Sequence, residues 1–210
     1  MVKRLFPSNS DFDNLSVLRT EVGEEAAGAN FSDVVVRKPW GYEYLWFQNA
    51  DVAVWMLHLA AASATSLHCH VRKRTSLIPV AGTVLCTTLE GQSRLRSGDA
   101  LVLEPCVFHS TRALSPEGAF VMEIETPPLK GDLVRLRDAF GRVGMGYEGS
   151  SQYSSELNRF DYHPWSRIGA AGDGAGYKEV HLRYSVLRCA DDLRARLMPD
   201  AVVVPFLGRL

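Results

Sequence analysis

Residues 66–82 read SLHCHVRKRTSLIPVAG and place His68 and His70 two positions apart. In an extended strand, residues i and i+2 project from the same face, so both imidazoles can reach one ion. A second stretch, residues 98–109, reads GDALVLEPCVFH and ends at a third imidazole, His109. Three neutral imidazoles that leave coordination positions open suit Zn, Mn, Fe, Ni or Co. We therefore predict a divalent-metal site formed by His68, His70 and His109.

The two stretches resemble the paired motifs of the cupin family. The first family motif runs His-x-His, a spacer, an acid, six residues and Gly, and the second runs Gly, five residues and Pro-x-Gly-x-x-His. Five positions fall in register with these motifs: His68, His70, Gly82, Gly98 and His109. The resemblance implies an all-β fold, the double-stranded β-helix of the cupin jelly-roll barrel, with a small-molecule site inside the barrel mouth.

The sequence departs from the family at three motif positions. Thr75 stands where the family has its metal-binding Glu, and Glu104 and Cys106 stand where it has Pro and Gly. Because a Thr hydroxyl is a poor metal ligand, we expect an ion here to have three protein ligands instead of four, or to recruit another side chain.

Two further segments extend the resemblance over residues 36–142. Residues 38–41, KPWG, resemble the opening of phosphomannose-isomerase-like cupin domains. Residues 125–128, ETPP, and 132–142, DLVRLRDAFGR, resemble the tail of cupins from bacterial surface-polysaccharide gene sets. The resemblance thus implies a role in carbohydrate biosynthesis.

Composition narrows the class of partner. The chain has 210 residues, 46% hydrophobic and 22% charged, with a formal net charge of −1. These values are ordinary for a soluble globular protein and give no reason to expect nucleic acid or an anionic membrane as partner. No apolar run approaches 18 residues, and the first residues lack the apolar core of a signal peptide. Four cysteines without a CxxC pair indicate reduced thiols in a cytoplasmic protein.

The chain divides into three regions. We expect residues 1–33 to form an N-terminal arm, either with a short helix around residues 13–27 capped by Asp11 or Asp13, or as a loosely packed tail. Residues 34–142 form the barrel, ending in a helical turn or two over residues 132–140 that Asp132 caps. Residues 143–210 form a C-terminal extension.

The extension begins with a loop region rich in Gly, Ser and aromatics over residues 143–178, which we expect at the barrel mouth. We also predict strands over residues 179–187 and 202–206 and a short helix over 191–197. Because barrels of this type pair through sheet edges and flanking arms, we expect a homodimer.

Strand 119–125 places two carboxylates, Glu123 and Glu125, on one face. Inside a barrel such a pair needs a cation or a metal nearby, so either residue could replace the missing acid ligand or act as a general base. The alternative, which the sequence favours equally, is that this face of the strand is exposed to solvent. We assign Glu123 to catalysis and Glu125 to substrate binding.

Cations follow the His-x-His strand at residues 72–74, where RKR suits a sugar phosphate or a carboxylate. We assign Lys73 to catalysis and Arg72 to substrate binding. Tyr44, on an aromatic strand over residues 42–47, is a further substrate-binding candidate.

Three functions compete. The first is a metal-dependent isomerase or epimerase of a sugar or sugar phosphate, in which the ion polarises a carbonyl and Glu123 moves a proton between neighbouring carbons. The second is a three-His dioxygenase, which the Thr at position 75 suits. The third is a non-catalytic sugar-binding cupin.

Overall fold

A computed structural model describes residues 1–18, 30–165, 174–183, 189–195 and 198. Their strands, in chain order, are β1 (Val2–Leu5), β2 (Val35–Lys38), β3 (Gly41–Gln48), β4 (Ala53–Leu59), β5 (Leu67–Cys69), β6 (Arg74–Ala81), β7 (Val84–Thr88), β8 (Gln92–Leu95), β9 (Ala100–Leu103), β10 (His109–Ala113), β11 (Ala119–Thr126), β12 (Val134–Arg137), β13 (Tyr153–Ser154), β14 (Ala175–Tyr177) and β15 (Val180–Leu182). The helices are α1 (Asn9–Val17), α2 (Ala190–Arg194) and the 3₁₀ turns Ser150–Gln152 and Leu157–Arg159. Within these residues, no helix has the length and apolar character needed to cross a bilayer.

Two sheets form the barrel. The larger has the order β1-β9-β6-β11-β4-β3-β2-β13, and the smaller has the order β12-β5-β10-β7-β8. Apart from the parallel β1–β9 pair, the ladders are antiparallel. This topology confirms the predicted all-β fold, a double-stranded β-helix.

The main core lies between the two sheets. Trp55 and Leu57 from the larger sheet belong to one buried cluster with Cys86 and Leu95 from the smaller sheet. The other face of the larger sheet carries a second cluster, which includes Met56 of β4. Strand β4 is therefore apolar on both faces because each face packs against a different layer.

The C-terminal extension covers that second face. Side chains of the extension, among them Phe160, Tyr162 and Trp165, pack against the second cluster, and Tyr177 of β14 is buried within it. β13 also adds to the edge of the larger sheet beside β2. β15 covers residues 180–182 of the strand predicted over 179–187, of which residues 184–187 are outside the description. α2 overlaps the helix predicted over 191–197, of which residues 196 and 197 are outside the description. The predicted strand over 202–206 lies outside the described residues.

The N-terminal helix begins earlier than predicted. Ser8, and neither Asp11 nor Asp13, is the N-cap: its Oγ accepts from the backbone N–H of Asp11 at 3.2 Å, while the Asp11 carboxylate accepts from the backbone N–H of Ser8 at 2.8 Å. This reciprocal pair is a capping box, in which Asp11 is the third helical residue and not the cap. The helix ends at Val17, and residues 19–29 are outside the description.

The helix predicted over residues 132–140 is wrong, because β12 occupies this segment. Val134 and Arg135 pair with Cys69 and His68 of β5. The Asp132 carboxylate, expected to cap a helix, instead accepts backbone N–H groups from residues 71–73 at 2.8 to 3.1 Å. Tertiary pairing thus overrides a local helix signal.

Candidate metal centre

The three predicted histidines converge inside the barrel. His68 lies on β5, His70 follows directly after that strand, and His109 begins β10 opposite His68 in the ladder. One ligand atom from each residue lies within 4.8 Å of the other two. The ring centroids are 4.5 to 5.4 Å apart.

Backbone carbonyls fix the orientation of all three rings. Nδ1 lies 2.8 Å from the Ser66 oxygen in His68, 2.5 Å from the Asp132 oxygen in His70 and 3.0 Å from the Val107 oxygen in His109. A carbonyl oxygen only accepts, so each Nδ1 carries the proton and each Nε2 has a free lone pair. This is the arrangement in which imidazoles ligate a metal through Nε2.

Burial keeps these imidazoles neutral. Loss of solvent lowers the pKa of His109 to about 4 and holds the pKa values of His68 and His70 well below the ordinary value. Nε2 of His70 is buried and has no hydrogen-bond partner among the described residues. An unpartnered buried lone pair beside two further imidazoles fits a divalent ion.

A cavity of about 60 Å³ adjoins the three rings. Its volume suits an ion with a few waters or the reacting end of a small substrate. Acids, cations and a phenol share its wall with the histidines: Glu43, Glu123, Glu125, Glu148, Lys38, Lys73, Lys130, Arg135, Arg142 and Tyr147.

Glu123 lies on this wall, as predicted from its position on β11. Glu123 is 7% exposed, and burial and nearby charges act on its carboxyl. Burial raises the pKa of Glu123 to about 7, against the opposing charge of Lys130. A group of this kind can both accept and release a proton near neutral pH.

Lys73 and Glu125 also line the cavity, and they form an ion pair. Lys73 Nζ donates to Glu125 Oε1 at 2.8 Å, and both side chains are about 1% exposed. Lys130 Nζ lies 3.3 Å from the same oxygen. Although burial alone would raise the pKa of Glu125, these two cations hold it below its usual value.

Other residues of the wall were missed in the sequence. Glu43 accepts from Lys130 at 3.1 Å, from Lys38 at 3.2 Å and from the Tyr147 hydroxyl. The two lysines hold the pKa of Glu43 near 2, although burial opposes them. An acid within an aromatic strand was the available signal for Glu43, whereas nothing local marks Tyr147.

The structure does not bring Tyr44 or Arg72 into the cavity. Tyr44 is fully buried in the second cluster, where its hydroxyl lies 3.1 Å from that of Tyr177, because strand alternation turns Glu43 inward instead. The Arg72 side chain is 47% exposed and lies 3.8 Å from Asp132. The substrate-binding assignment of these two residues therefore has no support from their positions.

Comparisons with known proteins find likenesses among solved structures only. No family model and no curated protein sequence matches it. Solved structures that it resembles include KdgF from Halomonas sp., at 21% identity and a TM-score of 0.41, over 43% of this chain and 82% of that one. An RmlC-like cupin from Shewanella frigidimarina matches at 17% identity and 0.41, over 44% and 82%.

An oxalate decarboxylase variant from B. subtilis matches at 18% identity and a TM-score of 0.45, over 63% of this chain and 40% of that one. Likenesses of this size assign no reaction, which has to be argued from the residues of this chain. The two-sheet topology, with its three imidazoles inside, makes the chain a protein of the cupin fold.

Proposed function

We propose that the protein is a metal-dependent enzyme that moves a proton between carbons of a sugar or sugar phosphate, as an isomerase or epimerase. One observation carries the proposal: three imidazoles, each with its Nδ1 held by a backbone carbonyl, share a cavity with the carboxyl of Glu123. The divalent ion, of the Zn, Mn, Fe, Ni or Co group, is held by His68, His70 and His109.

Glu123 is the proton carrier in this proposal. A bound divalent ion supplies Lewis acidity to a substrate carbonyl, which acidifies the neighbouring C–H. In an isomerisation, the Glu123 carboxylate would take that proton and return it to the adjacent carbonyl carbon, while the hydroxyl proton passes to the former carbonyl oxygen. In an epimerisation, Glu123 would take the proton from one face, water would protonate the other face of the same carbon, and Glu123 would release its proton to solvent. Its raised pKa matches a group that alternates between base and acid near pH 7.

Lys73 acts as a positioning residue through Glu125 rather than as a phosphate ligand. Each cation that lines the cavity is ion-paired with a carboxylate in the described part of the chain. We therefore expect the cavity to hold the carbonyl and hydroxyl end of the substrate, with any phosphate outside it.

Isotope exchange tests this function directly. The protein, loaded with each candidate metal, is incubated in D₂O with a panel of sugars and sugar phosphates, and deuterium at carbon is followed by NMR. Wild type is expected to incorporate deuterium into one substrate. In Glu123→Gln the exchange rate is expected to be at least about 100-fold lower, while the variant retains its metal. Exchange at the wild-type rate in Glu123→Gln, or a wild-type protein that binds no metal, would reject the proposal.

A three-His dioxygenase is the second candidate. It is favoured by one observation: no carboxylate oxygen joins the three imidazoles within the cluster of the described residues. Oxygen consumption by the Fe(II)-loaded protein, without deuterium exchange, would replace the first proposal with this one. Metal binding without exchange or oxygen consumption would indicate a sugar-binding cupin.

We also propose a homodimer in the cytoplasm. β1 is an edge strand of the larger sheet, and Val2 and Phe6 beside that edge are each 66% exposed. Exposed edges with apolar side chains favour pairing with a second chain. All four cysteines are free thiols, which suits a reducing compartment. Light scattering at micromolar concentration tests the dimer, and a monomer would contradict it.

A further inference from the structure

The strongest unexplained feature of the cavity is one carboxylate oxygen. Oε2 of Glu125 is buried and has no hydrogen-bond partner, and no other carboxylate oxygen of the described residues is in that condition. Leaving such an oxygen unsatisfied destabilises the folded protein. The other oxygen of the same group holds Lys73 and Lys130, so the orientation of Glu125 is fixed.

Nε2 of His70 is unpartnered as well. Both atoms offer only lone pairs, so they cannot satisfy one another. A metal ion with a bound water would satisfy both, because the ion would take the imidazole lone pair and the water would donate to the carboxylate. The nearby cations contact the other oxygen of Glu125: Lys73 Nζ lies 2.8 Å and Lys130 Nζ 3.3 Å from Oε1.

Strand register explains why Glu125 is available. It lies directly opposite Thr75 in the β6–β11 ladder, as Glu123 lies opposite Leu77. Directly opposed residues project from the same face with their Cβ atoms about 5 Å apart. Because the Thr75 side chain is short, it leaves room on this part of the barrel wall for the Glu125 carboxylate. The Thr75 hydroxyl is itself buried and unpartnered, which leaves a second polar atom for a water at this level.

We propose that Glu125, through Oε2, holds a water on the ion bound by the three imidazoles, with Lys73 as the residue that positions Glu125. This rests on the metal centre of the proposed function. It assigns the two carboxylates of β11 to different tasks: Glu123 carries the substrate proton, and Glu125 fixes and tunes the bound water.

Cobalt provides a readout that does not depend on turnover. Co²⁺ is titrated into the metal-free full chain, and its visible absorption reports affinity, coordination and, from its pH dependence, ionisation of the bound water. Glu125→Gln is expected to lower Co²⁺ affinity by about 10- to 100-fold. Since an anionic acceptor disfavours hydroxide on the ion, the variant should also move the spectral transition to lower pH.

Glu148→Gln is the matched control. Glu148 lines the same cavity, but its two oxygens are already engaged, one with Lys38 and the other with Arg142. Its replacement should leave Co²⁺ affinity within about threefold and the transition unmoved. Because Glu125→Gln leaves a buried Lys73 without its partner, the double variant Lys73→Met/Glu125→Gln is measured too and should show the same spectral change.

The outcomes separate the two proposals. If wild type binds Co²⁺ and His68→Ala does not, while Glu125→Gln and the double variant both keep the wild-type affinity and transition, the role of Glu125 is rejected and the metal centre stands. If wild type binds no Co²⁺, both are rejected.

Discussion

Asp132 contacts the His70 ring with its backbone carbonyl and the residues that follow His70 with its carboxylate. Nδ1 of His70 donates to the Asp132 carbonyl oxygen at 2.5 Å. The Asp132 carboxylate accepts the backbone N–H groups of Val71, Arg72 and Lys73, which directly follow His70. One buried residue therefore orients a metal-binding imidazole and the connection that carries Lys73 into the cavity.

Asp132→Ala should weaken metal binding without removing a ligand. The backbone carbonyl remains, but three N–H groups lose a charged acceptor, so the His70 ring is held less firmly. We expect Co²⁺ affinity to fall by about 10-fold or more and the free energy of unfolding to fall by about 3 kcal/mol. Titration calorimetry and urea denaturation measure the two. Asp191→Asn, at an exposed residue paired with Arg194, is the control and should change neither; unchanged affinity in Asp132→Ala would show that Asp132 does not position His70.

Single removal of an imidazole should abolish stoichiometric metal. His68→Ala or His109→Ala leaves two ligands, and we expect metal content after purification to fall below about a tenth of the wild-type value. The barrel should remain folded, since the rings add little to the cores between and outside the sheets. His163→Ala, whose ring pairs with Asp161 outside the cavity, should retain full metal. Full metal content in His68→Ala would show that the three-His site is wrong.

Glu123 should make the metal-free protein less stable as pH rises. The folded pKa is about 7 and lies above the unfolded value of about 4.3, so the folded state binds the extra proton between these values. The stability that Glu123 contributes is therefore fully present below the unfolded pKa and is lost as pH rises through 7. The full effect is on the order of 3 kcal/mol. Glu123→Gln should remove this loss, which chemical denaturation at pH 5 and pH 8 would measure; an equal pH dependence in both proteins would contradict it.

Alternation and spacing were enough to find the metal-binding face. A period of two placed His68 with His70 and Glu123 with Glu125, and both pairs line the cavity as the pattern requires. The barrel itself follows from short strands separated by turns. These features are local, so the sequence expresses them directly.

Long-range partners were not accessible in the same way. Tyr44 and Glu43 are neighbours on β3 and face opposite ways, but alternation alone does not show which face turns towards the three imidazoles. Asp132 looked like a helix cap because the donors to its carboxylate, the N–H groups of residues 71–73, lie about sixty positions earlier. Tyr147 reaches Glu43 across more than a hundred residues. Such contacts depend on how the sheets close, which no local pattern encodes.

Lys130 offers the sharpest test of the charge network behind the metal centre. Its ammonium lies between two carboxylates, 3.1 Å from Glu43 and 3.3 Å from Glu125, and 3.8 Å from the centre of the Trp55 ring. Lys130→Met leaves both acids short of a cation, so we expect a loss of about 3–5 kcal/mol in urea denaturation at pH 7. The double variant Lys130→Met/Glu43→Gln also removes one of the two carboxylates that lost this cation, so it should recover more than about 1 kcal/mol of that loss. The matched control is Arg159→Met, which breaks an exposed pair with Glu156 and should cost less than about 1 kcal/mol. If Lys130→Met costs no more than Arg159→Met, or if Glu43→Gln adds a further loss, Lys130 does not balance these acids.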